Sequence, residues 1–364
     1  MSKRIVISAA GTGGHVMPGI AVGRLLVSRG WEVFWIGTEQ GMERRLVERA
    51  GFRFFALDFQ GLRGKGWKTM LFGGFKLLAS INDSRKLLNE LKPDVLFSTG
   101  GYVSVPVCLA AGLKGIPYVL MNSDAEPLLS IRMILSNASG LMCGFDGKAA
   151  HLAGDKAIVS GNPVRKEITA VPPPAERYAG RTGPLNILIF GGSLGARVLN
   201  ETVPQAISLM PEDQRPKIVH QSGVKETEAV RERYAKLGIE AEVVPFIDDM
   251  GTAYSRCDLV ISRAGAISVS ELLAAGVPAI MVPLVVKTTS HQLGNAQYVQ
   301  SHGAGICMPQ SDLTAERLSE KLCSLNRSEL MEMAEKAKAL GKLHATETVA
   351  DCLEKVAEHN QRGR

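Results

Sequence analysis

Short runs of hydrophobic residues alternate with longer stretches of helical character along most of the chain. The runs predict strands over residues 5–10, 32–37, 95–99, 118–121, 186–190, 217–220, 259–262 and 279–282. The stretches predict helices over residues 20–29, 42–50, 77–91, 199–210, 226–237 and 269–275, with one further helical segment over 328–358. A strand, a glycine-rich turn and a helix in repeated succession indicate βαβ units in a parallel, doubly wound sheet.

This α/β pattern occurs twice, on either side of a segment at residues 170–184 that is rich in proline and glycine. So many breakers cannot continue either sheet. We therefore expect two Rossmann-like domains whose parallel sheets face each other across a cleft. The expected division is an N-terminal domain (1–165), a linker (166–184), a C-terminal domain (185–340) and a C-terminal helix (341–364) that can pack back on the N-terminal domain.

Composition agrees with this organisation. The chain has 364 residues, of which 45% are hydrophobic and only 5% aromatic, as is typical of parallel α/β sheets in two domains of ordinary size. Residues 1–160 carry 19 Lys and Arg against 12 Asp and Glu, whereas the remainder carries 23 against 24. This one-sided excess indicates an anionic partner, such as nucleic acid, a phosphorylated substrate or an acidic membrane surface. Unevenly distributed solvated charge is the alternative.

The six cysteines are scattered and never in C-x-x-C spacing, so neither a zinc site nor a disulfide framework is indicated. The first hydrophobic run is too short for a signal peptide. No run approaches the roughly 18 apolar residues that span a membrane. We therefore expect a cytoplasmic protein whose membrane contact is peripheral.

Four glycine-rich turns each join a predicted strand to a helix, and they are numbered here in chain order: residues 11–18, 98–106, 191–197 and 262–271. Glycines let backbone N–H groups approach an anion, and the amino end of the following helix adds a favourable dipole. The turns should emerge at the carboxyl edges of the sheets, where such folds bind ligands. For the first turn, a tight connection without a ligand is the alternative.

The fourth glycine turn carries Glu271 into the following helix. Its carboxylate can accept hydrogen bonds from the two hydroxyls of a ribose. The alternative is a carboxylate that is favoured there by the helix dipole alone.

Two common nucleotide motifs are missing. Gly13, Gly14 and His15 replace the G-x-G-x-x-G fingerprint of dinucleotide folds, and Trp67 stands where a P-loop with Gly61 and Gly66 would need lysine. No Asp-x-Asp sequence is present to hold a metal on a diphosphate. Helix amino ends and Arg165 are the expected counter-charges, and no metal site is expected.

The four turns resemble the MurG family in order and spacing, together with residues 160–165, 246–250, 291–292 and 295–296. The resemblance spans nearly the whole chain. It implies a GT-B fold and an inverting transfer of N-acetylglucosamine from UDP-GlcNAc to the C4 hydroxyl of the muramyl sugar of lipid I, which forms lipid II in peptidoglycan synthesis. UDP-GlcNAc would be a substrate, with no cofactor.

The partners that the resemblance implies are UDP-GlcNAc, undecaprenyl-linked lipid I and an anionic membrane surface, with no nucleic acid. The implied location is the cytoplasmic face of the plasma (inner) membrane, where the cell-wall synthesis machinery is a further possible partner.

The resemblance also implies site residues. Carried over by position, the donor site comprises Thr12, Gly13, Gly14, Asp124, Arg165, Ser193, Ile247, Ala266, Ile267, Ser268, Val269, Ser270, Glu271 and Gln292. Ile247 would meet the uracil through its backbone, and Glu271 the ribose. The acceptor side comprises His15, Gly101, Tyr102 and Asn122.

His15 is the candidate general base on the acceptor hydroxyl, since a neutral imidazole suits proton removal near pH 7. The alternative is that His15 only orders its turn or binds the acceptor phosphate.

The chain departs from the family after the strand at 118–121, where Met121-Asn122-Ser123-Asp124 replaces His-Glu-Gln-Asn. Asp124 takes the place of an asparagine near the donor sugar, and Asn122 that of a glutamate near the acceptor. Because Asn122 cannot act as a base, a related enzyme with another acceptor stays open, such as a diacylglycerol glycosyltransferase or a UDP-GlcNAc epimerase. A nicotinamide-dependent oxidoreductase and a non-catalytic scaffold are the remaining alternatives.

Basic and large apolar residues alternate over residues 61–78, namely Arg63, Lys65, Trp67, Lys68, Leu71, Phe72 and Phe75. This mixture suits a surface that dips into an anionic leaflet. A core-facing helix with solvated lysines is the alternative.

Overall fold

The computed structural model describes residues 2–11, 13–39, 43–59, 67–192, 194–285 and 291–362, with the backbone alone for residues 13, 67–73 and 362. The chain divides into two compact units. The first unit comprises Met1–Pro163 and His344–Arg364, and the second comprises Val164–Leu343.

The first unit is built on a parallel sheet. Its strands are β1 (Arg4–Ala9), β2 (Glu32–Thr38), β3 (Arg53–Leu57), β4 (Val95–Gly100), β5 (Tyr118–Asn122), β6 (Gly140–Cys143) and β7 (Ala157–Ile158). Its helices are α1 (Gly13–Ser28), α2 (Glu43–Arg49), α3 (Trp67–Leu91), α4 (Ser104–Leu113), α5 (Leu129–Ile134), α6 (Lys148–Ala153) and, from the end of the chain, α16 (Ala345–Arg362). The strand order is β3-β2-β1-β4-β5-β6-β7.

The second unit contains a second parallel sheet. Its strands are β8 (Asn186–Phe190), β9 (Lys217–Gln221), β10 (Glu242–Val244), β11 (Leu259–Ser262), β12 (Ala279–Met281) and β13 (Ile306–Cys307). Its helices are α7 (Lys166–Thr169), α8 (Pro174–Tyr178), α9 (Arg197–Ser208), α10 (Thr227–Lys236), α11 (Met250–Arg256), α12 (Ala266–Ala275), α13 (His291–Ser301), α14 (Ala315–Cys323) and α15 (Arg327–Leu340). The strand order is β10-β9-β8-β11-β12-β13.

The two sheets confirm the predicted parallel, doubly wound α/β class. In each sheet the chain reverses its direction of winding once, between β1 and β4 in the first unit and between β8 and β11 in the second. Open α/β sheets bind ligands beyond the carboxyl ends of the strands at such a reversal. The four glycine turns follow these four strands, so each unit has two turns side by side at its switch point.

Helices α1 and α3 begin earlier than the sequence predicts. Helix α1 starts at Gly13 instead of residue 20, and Pro18 lies inside it, not in its first turn. A β-carbon on Gly19 would lie 2.7 Å from the Trp35 ring, so the glycines of α1 permit close packing on β2. Tertiary packing therefore outweighs the low helix propensity of this segment.

The strands β3, β6, β7, β10 and β13 were not predicted. They are two to five residues long. The apolar run in each is at most four residues, Phe54–Leu57 in β3, which is a weak signal for a strand.

The helical segment predicted at residues 328–358 is two helices, α15 and α16. The chain turns at Gly341, where a β-carbon would lie 2.7 Å from the carbonyl oxygen of Leu273. Helix α16 belongs to the first unit, and its Leu353 is fully buried against α1 and the sheet. Arg29 on the segment after α1 binds Asp351 and Glu354, each at 2.7 Å.

The segment at residues 166–184, predicted as a linker, is folded into the second unit. It contains α7 and α8, and the buried Arg177 donates to the carbonyl oxygens of Pro172, Tyr254 and Gly276. These bonds cap backbone groups that would otherwise be buried without partners. The first unit consequently ends at Pro163, and Arg165 lies in the second unit.

A buried carboxylate ties this segment to the sheet. Asp258 is fully buried and accepts from Arg181 at 2.6 Å, from the backbone N–H of Asn186 at 2.8 Å and from Arg327 at 3.3 Å. Two guanidinium groups and one amide thus share one carboxylate.

We predict that Asp258→Ala lowers the free energy of unfolding by about 3–5 kcal/mol, because the variant leaves two partly buried cations without their counter-ion. Urea denaturation measures the loss. Asp213→Ala, at an exposed position of the same unit, is the control and should stay within about 0.5 kcal/mol of the parent. A loss from Asp258→Ala no larger than that of the control would contradict the prediction.

Candidate functional site

The third and fourth glycine turns lead directly into α9 and α12. The residues before these helices, Ala196 and Gly265, have no side-chain oxygen with which to cap them. The first N–H groups of a helix lack intrahelical partners, and they suit an anion at the positive end of the helix dipole. The second unit therefore presents two helix amino ends side by side at its switch point.

A pocket lies beside these turns within the second unit. Its walls combine an ion pair, two amide or hydroxyl side chains and several apolar groups: Arg165, Phe190, Gly192, Gln221, Phe246, Ile247, Met250, Ser268 and Glu271. Concave sites that mix apolar walls with a few polar groups are the usual form of small-molecule sites.

The ion pair in this pocket is bidentate. Arg165 Nε lies 2.9 Å from Glu271 Oε1, and Arg165 Nη2 lies 3.2 Å from Glu271 Oε2. Burial raises the pKa of Glu271, and the Arg165 guanidinium opposes that shift. Burial lowers the pKa of Arg165, but the hydrogen bond and charge of Glu271 raise it above its ordinary value. The Glu271 side chain is 9% exposed and that of Arg165 37%, so the cation is the more accessible partner.

Only some of the donor residues that the family resemblance implied line this pocket. In the run Ala266–Glu271, Ser268 and Glu271 line the pocket, whereas Val269 is fully buried. Residues three apart lie on the same face of a helix, which explains why Ser268 and Glu271 both line the pocket. Ala266 and Ile267 are half-buried and Ser270 is buried, outside the pocket lining.

The other implied donor residues fall in different places. Ile247 lines the pocket. Gln292, on α13, accepts from the backbone N–H of Leu284 at 2.8 Å and so orders the segment after β12. Thr12 and Ser193 lie outside the described residues, and of Gly13 only the backbone is described.

Phe190, Gln221 and Met250 line the pocket but were not among the predicted site residues. Phe190 and Gln221 are the last residues of β8 and β9. The rule that ligands bind at strand carboxyl ends could have singled them out, had it been applied to strand ends as well as to glycine turns.

In the first unit, the first two glycine turns pack directly on each other. A β-carbon on Gly101 would overlap the carbonyl oxygen of Ala10. His15 Nδ1 lies 3.1 Å from the carbonyl oxygen of Thr99, and Thr99 Oγ1 donates to the carbonyl oxygen of His15 at 2.6 Å. Two hydrogen bonds between His15 and Thr99 therefore link the first two turns.

The same contact defines the tautomer of His15. A carbonyl oxygen only accepts, so the neutral ring carries its proton on Nδ1, and Nε2 is the nitrogen that can accept a proton. The ordering role is thus compatible with a role as general base.

Asn122 is fully buried and shapes the loop after β5. Its amide nitrogen donates to the carbonyl oxygens of Asp124 at 2.6 Å and Glu126 at 3.1 Å, and its amide oxygen accepts from the N–H of Leu128 at 3.0 Å. Asn122 thus fixes the conformation of this loop through three hydrogen bonds. Asp124 is half-buried on the loop, and Tyr102, after β4, is 41% exposed.

The predicted membrane residues lie on or before α3. Arg63 and Lys65 fall outside the described residues, and Trp67, Lys68, Leu71 and Phe72 lie on α3 in the part described by backbone alone. Phe75 and Leu78, farther along α3, are 75% and 65% exposed. A helix whose apolar residues all face the core would not expose these two side chains.

A buried chain of hydrogen bonds lies behind the third glycine turn. Tyr234 Oη is 3.0 Å from His220 Nδ1, and His220 Nε2 is 3.1 Å from Asn200 Oδ1. Asn200 Nδ2 donates to the carbonyl oxygen of Ser222 at 3.0 Å. Burial lowers the pKa of His220 to about 3, so the ring is neutral at physiological pH.

Comparison with known proteins identifies the family. Residues 5–139 match the model of the glycosyltransferase family 28 N-terminal domain, and residues 186–355 match that of the family 28 C-terminal domain. The chain belongs to glycosyltransferase family 28. Residues 5–139 include β1–β5 of the first sheet, and residues 186–355 include β8–β13 of the second sheet.

Two relatives that match nearly the whole chain carry the same name. The chain is 48% identical over 356 residues to the UDP-N-acetylglucosamine–N-acetylmuramyl-(pentapeptide) pyrophosphoryl-undecaprenol N-acetylglucosamine transferase of Janthinobacterium sp. (strain Marseille), covering 98% of this chain and 99% of that protein. It is 49% identical over 359 residues to the protein of the same name from Methylibium petroleiphilum, covering 97% and 98%.

A solved structure agrees with this relationship. The crystal structure of Acinetobacter baumannii MurG superimposes with a TM-score of 0.85 at 35% identity, covering 97% of this chain and 99% of that one. The resemblance to the MurG family and the GT-B fold class are thereby confirmed.

Within the described residues, no group of three or more His, Cys, Asp or Glu side chains could hold a metal ion.

We predict that His220 makes the stability of this family 28 protein fall with acidification. Below about pH 6.5 the unfolded chain binds a proton at His220, but the folded chain does not until about pH 3. Stability is therefore lost as the pH falls through this window, by up to about 1.4 kcal/mol per pH unit from this residue.

Urea denaturation of the parent and of His220→Gln between about pH 7 and pH 4 measures the effect. The Gln variant, with nothing to protonate, should show the shallower slope. Parallel slopes for the two proteins would contradict a buried neutral His220.

Proposed function

We propose that this protein transfers N-acetylglucosamine from UDP-GlcNAc to the muramyl sugar of an undecaprenyl-pyrophosphoryl muramyl-pentapeptide, converting lipid I to lipid II. The observation that carries the proposal is the name of the relatives, which are 48–49% identical along nearly the whole chain. The second unit's pocket adds chemical support, because its groups suit a nucleotide diphosphate.

The donor nucleotide is assigned to the pocket of the second unit. The backbone of Ile247 meets the uracil, and Glu271 accepts from the ribose hydroxyls. Each carboxylate oxygen of Glu271 uses one acceptor position for Arg165 and keeps a second, so ribose binding and the ion pair are compatible.

The diphosphate is held by Arg165 and by the amino ends of α9 and α12. Fixed dipoles and one guanidinium stabilise the charge that develops as UDP leaves, without requiring a metal ion. Arginine suits this task, since its planar donors match phosphate oxygens.

His15 is assigned the role of general base. Its Nε2 takes the proton from the C4 hydroxyl of the acceptor while the hydroxyl oxygen attacks C1 of the donor sugar. The bond from C1 to the UDP oxygen breaks on the opposite side, so the anomeric configuration inverts and UDP departs as the anion. Nδ1 keeps its hydrogen bond to Thr99 throughout, which holds the ring in place.

Membrane contact is assigned to the amino end of α3. Among the described residues, no helix combines the length and the hydropathy needed to cross a bilayer. A peripheral surface at the cytoplasmic face of the membrane accounts for access to a lipid-linked acceptor, and the exposed Phe75 and Leu78 on the same helix support it.

The experiment that tests the function supplies labelled UDP-GlcNAc with a lipid I analogue in the presence of EDTA. We expect labelled disaccharide lipid and one released UDP per transfer. Isomerised sugar nucleotide without acceptor would instead indicate an epimerase, and transfer to diacylglycerol another acceptor class. Loss of transfer in EDTA that returns with a divalent cation would contradict the metal-free mechanism.

We predict that His15→Ala lowers kcat by about 10²–10⁴-fold while the Kd for UDP stays within about twofold, because the base acts on the acceptor and not on the nucleotide. Steady-state kinetics and calorimetry measure the two quantities. His15→Asn separates the two roles, since its amide can still donate to Thr99 but cannot accept the proton. Near-parental turnover in His15→Asn would leave His15 an ordering residue only. His151→Ala, at an exposed position, is the control.

We predict that replacing Trp67, Leu71 and Phe72 together with Ser weakens binding to anionic vesicles at least about tenfold, because three large apolar groups no longer enter the leaflet. Vesicle sedimentation measures binding, and UDP affinity should not change. The matched control replaces Leu209 and Val224, exposed apolar residues of the second unit, with Ser. Equal partitioning of both variants would refute this membrane surface.

A further inference from the structure

The buried chain behind the third glycine turn has a fixed direction. Asn200 Nδ2 donates to the carbonyl oxygen of Ser222, so Asn200 Oδ1 must be the atom that faces His220. An amide oxygen only accepts, which places the His220 proton on Nε2. His220 Nδ1 then accepts from the Tyr234 hydroxyl. Each of the three hydrogen bonds that join Tyr234, His220, Asn200 and Ser222 thus pairs one donor with one acceptor.

This chain of hydrogen bonds ends at the backbone of Ser222, which packs against the third glycine turn. A β-carbon on Gly195 would overlap the carbonyl oxygen of Ser222, and one on Gly223 would overlap the carbonyl oxygen of Leu194. The turn and the segment after β9 therefore pack backbone against backbone. Asn200 lies in the first turn of α9, the helix that follows the third glycine turn. Its side chain therefore links this helix to the segment after β9.

The supported backbone is part of the pocket wall. Gly192 of the third turn and Gln221, the residue before Ser222, both line the pocket that contains Arg165 and Glu271. A shift of Ser222 relative to the turn would thus move two walls of this pocket with respect to each other.

Stability alone is a poor explanation for these polar groups. His220, Asn200 and Tyr234 are 0%, 1% and 2% exposed and are surrounded by the apolar core of the second unit. Apolar residues of similar volume can fill such a space without the desolvation cost of polar groups. Directed hydrogen bonds instead fix the position of one backbone segment against another.

We propose that His220 and Asn200 are positioning residues, which hold the third glycine turn in the conformation that binds the diphosphate of a UDP-sugar. The inference rests on the proposed function, because it assigns the diphosphate to this turn. The Tyr234 hydroxyl sets the donor-to-acceptor direction of these hydrogen bonds. Without its hydroxyl the His220 proton is no longer held on Nε2, and a flipped tautomer would turn the Asn200 amide away from Ser222.

The test compares binding of UDP, measured by calorimetry, with thermal stability in the full-length protein. Asn200→Ala and His220→Leu should each raise the Kd for UDP and the KM for UDP-GlcNAc about tenfold, with the KM for the lipid acceptor unchanged. His220→Gln places an amide N–H near the position of Nε2 and should restore UDP affinity to within about threefold of the parent.

The matched control is Met210→Ala. Met210 is buried in the same core but follows α9, at the amino edge of the sheet and away from the glycine turns. It should lower Tm as the other variants do while leaving UDP affinity unchanged. If Asn200→Ala loses stability but binds UDP as tightly as Met210→Ala, the polar chain is a core element only and the proposal is overturned.

Tyr234→Phe keeps the ring and removes only the hydroxyl, so it decides the question if the other variants do not fold. We expect a rise of about threefold in the Kd for UDP, and parental affinity in this variant would overturn the proposal. A parent protein that does not bind UDP would instead overturn the proposed function, which keeps the two failures distinguishable.

Discussion

Backbone packs directly against backbone beside the glycine turns at the carboxyl edges of the two sheets. In the first unit Gly101 lies against Ala10, and in the second Gly195 lies against Ser222. A side chain at either glycine would push the turn away from the neighbouring segment and would separate the polar groups that interact across this contact. The hydrogen bonds of His15 with Thr99 and of Asn200 with Ser222 depend on this close approach. Main-chain contacts therefore define the carboxyl edge of each sheet, and they place the side chains of His15 and Asn200.

The sequence predicts the parts of the fold that are encoded locally. Buried apolar runs such as those of β8 and β11 are found at the predicted positions because a buried parallel strand needs little else. The short strands at the sheet edges lack that signal. The early start of α1, in a segment rich in glycine, is decided by packing on residues outside the helix, such as Trp35 of β2.

The candidate site also has a part that is encoded locally and a part that depends on contacts between distant residues. Glycine turns and Glu271 are visible in sequence because their residue types and spacing carry the chemistry. The bidentate contact of Glu271 with Arg165, 106 residues away, is not, since only the folded second unit brings the two together. Asn122 shows the converse. The sequence marks it as a departure from the family, whereas the structure shows a buried amide that is fully used in shaping its own loop.

Helix α16 gives the first unit a discontinuous core. Val349, Ala350, Leu353 and Ala357 fill the same cluster as β1, β2 and α1, although some 180 residues of the second unit separate them in the chain. During synthesis, the second unit leaves the ribosome complete while the first still lacks one wall. The unit made first is thus the last to finish folding, and loss of the carboxyl terminus would weaken the amino-terminal half of the protein, not the half to which it is joined.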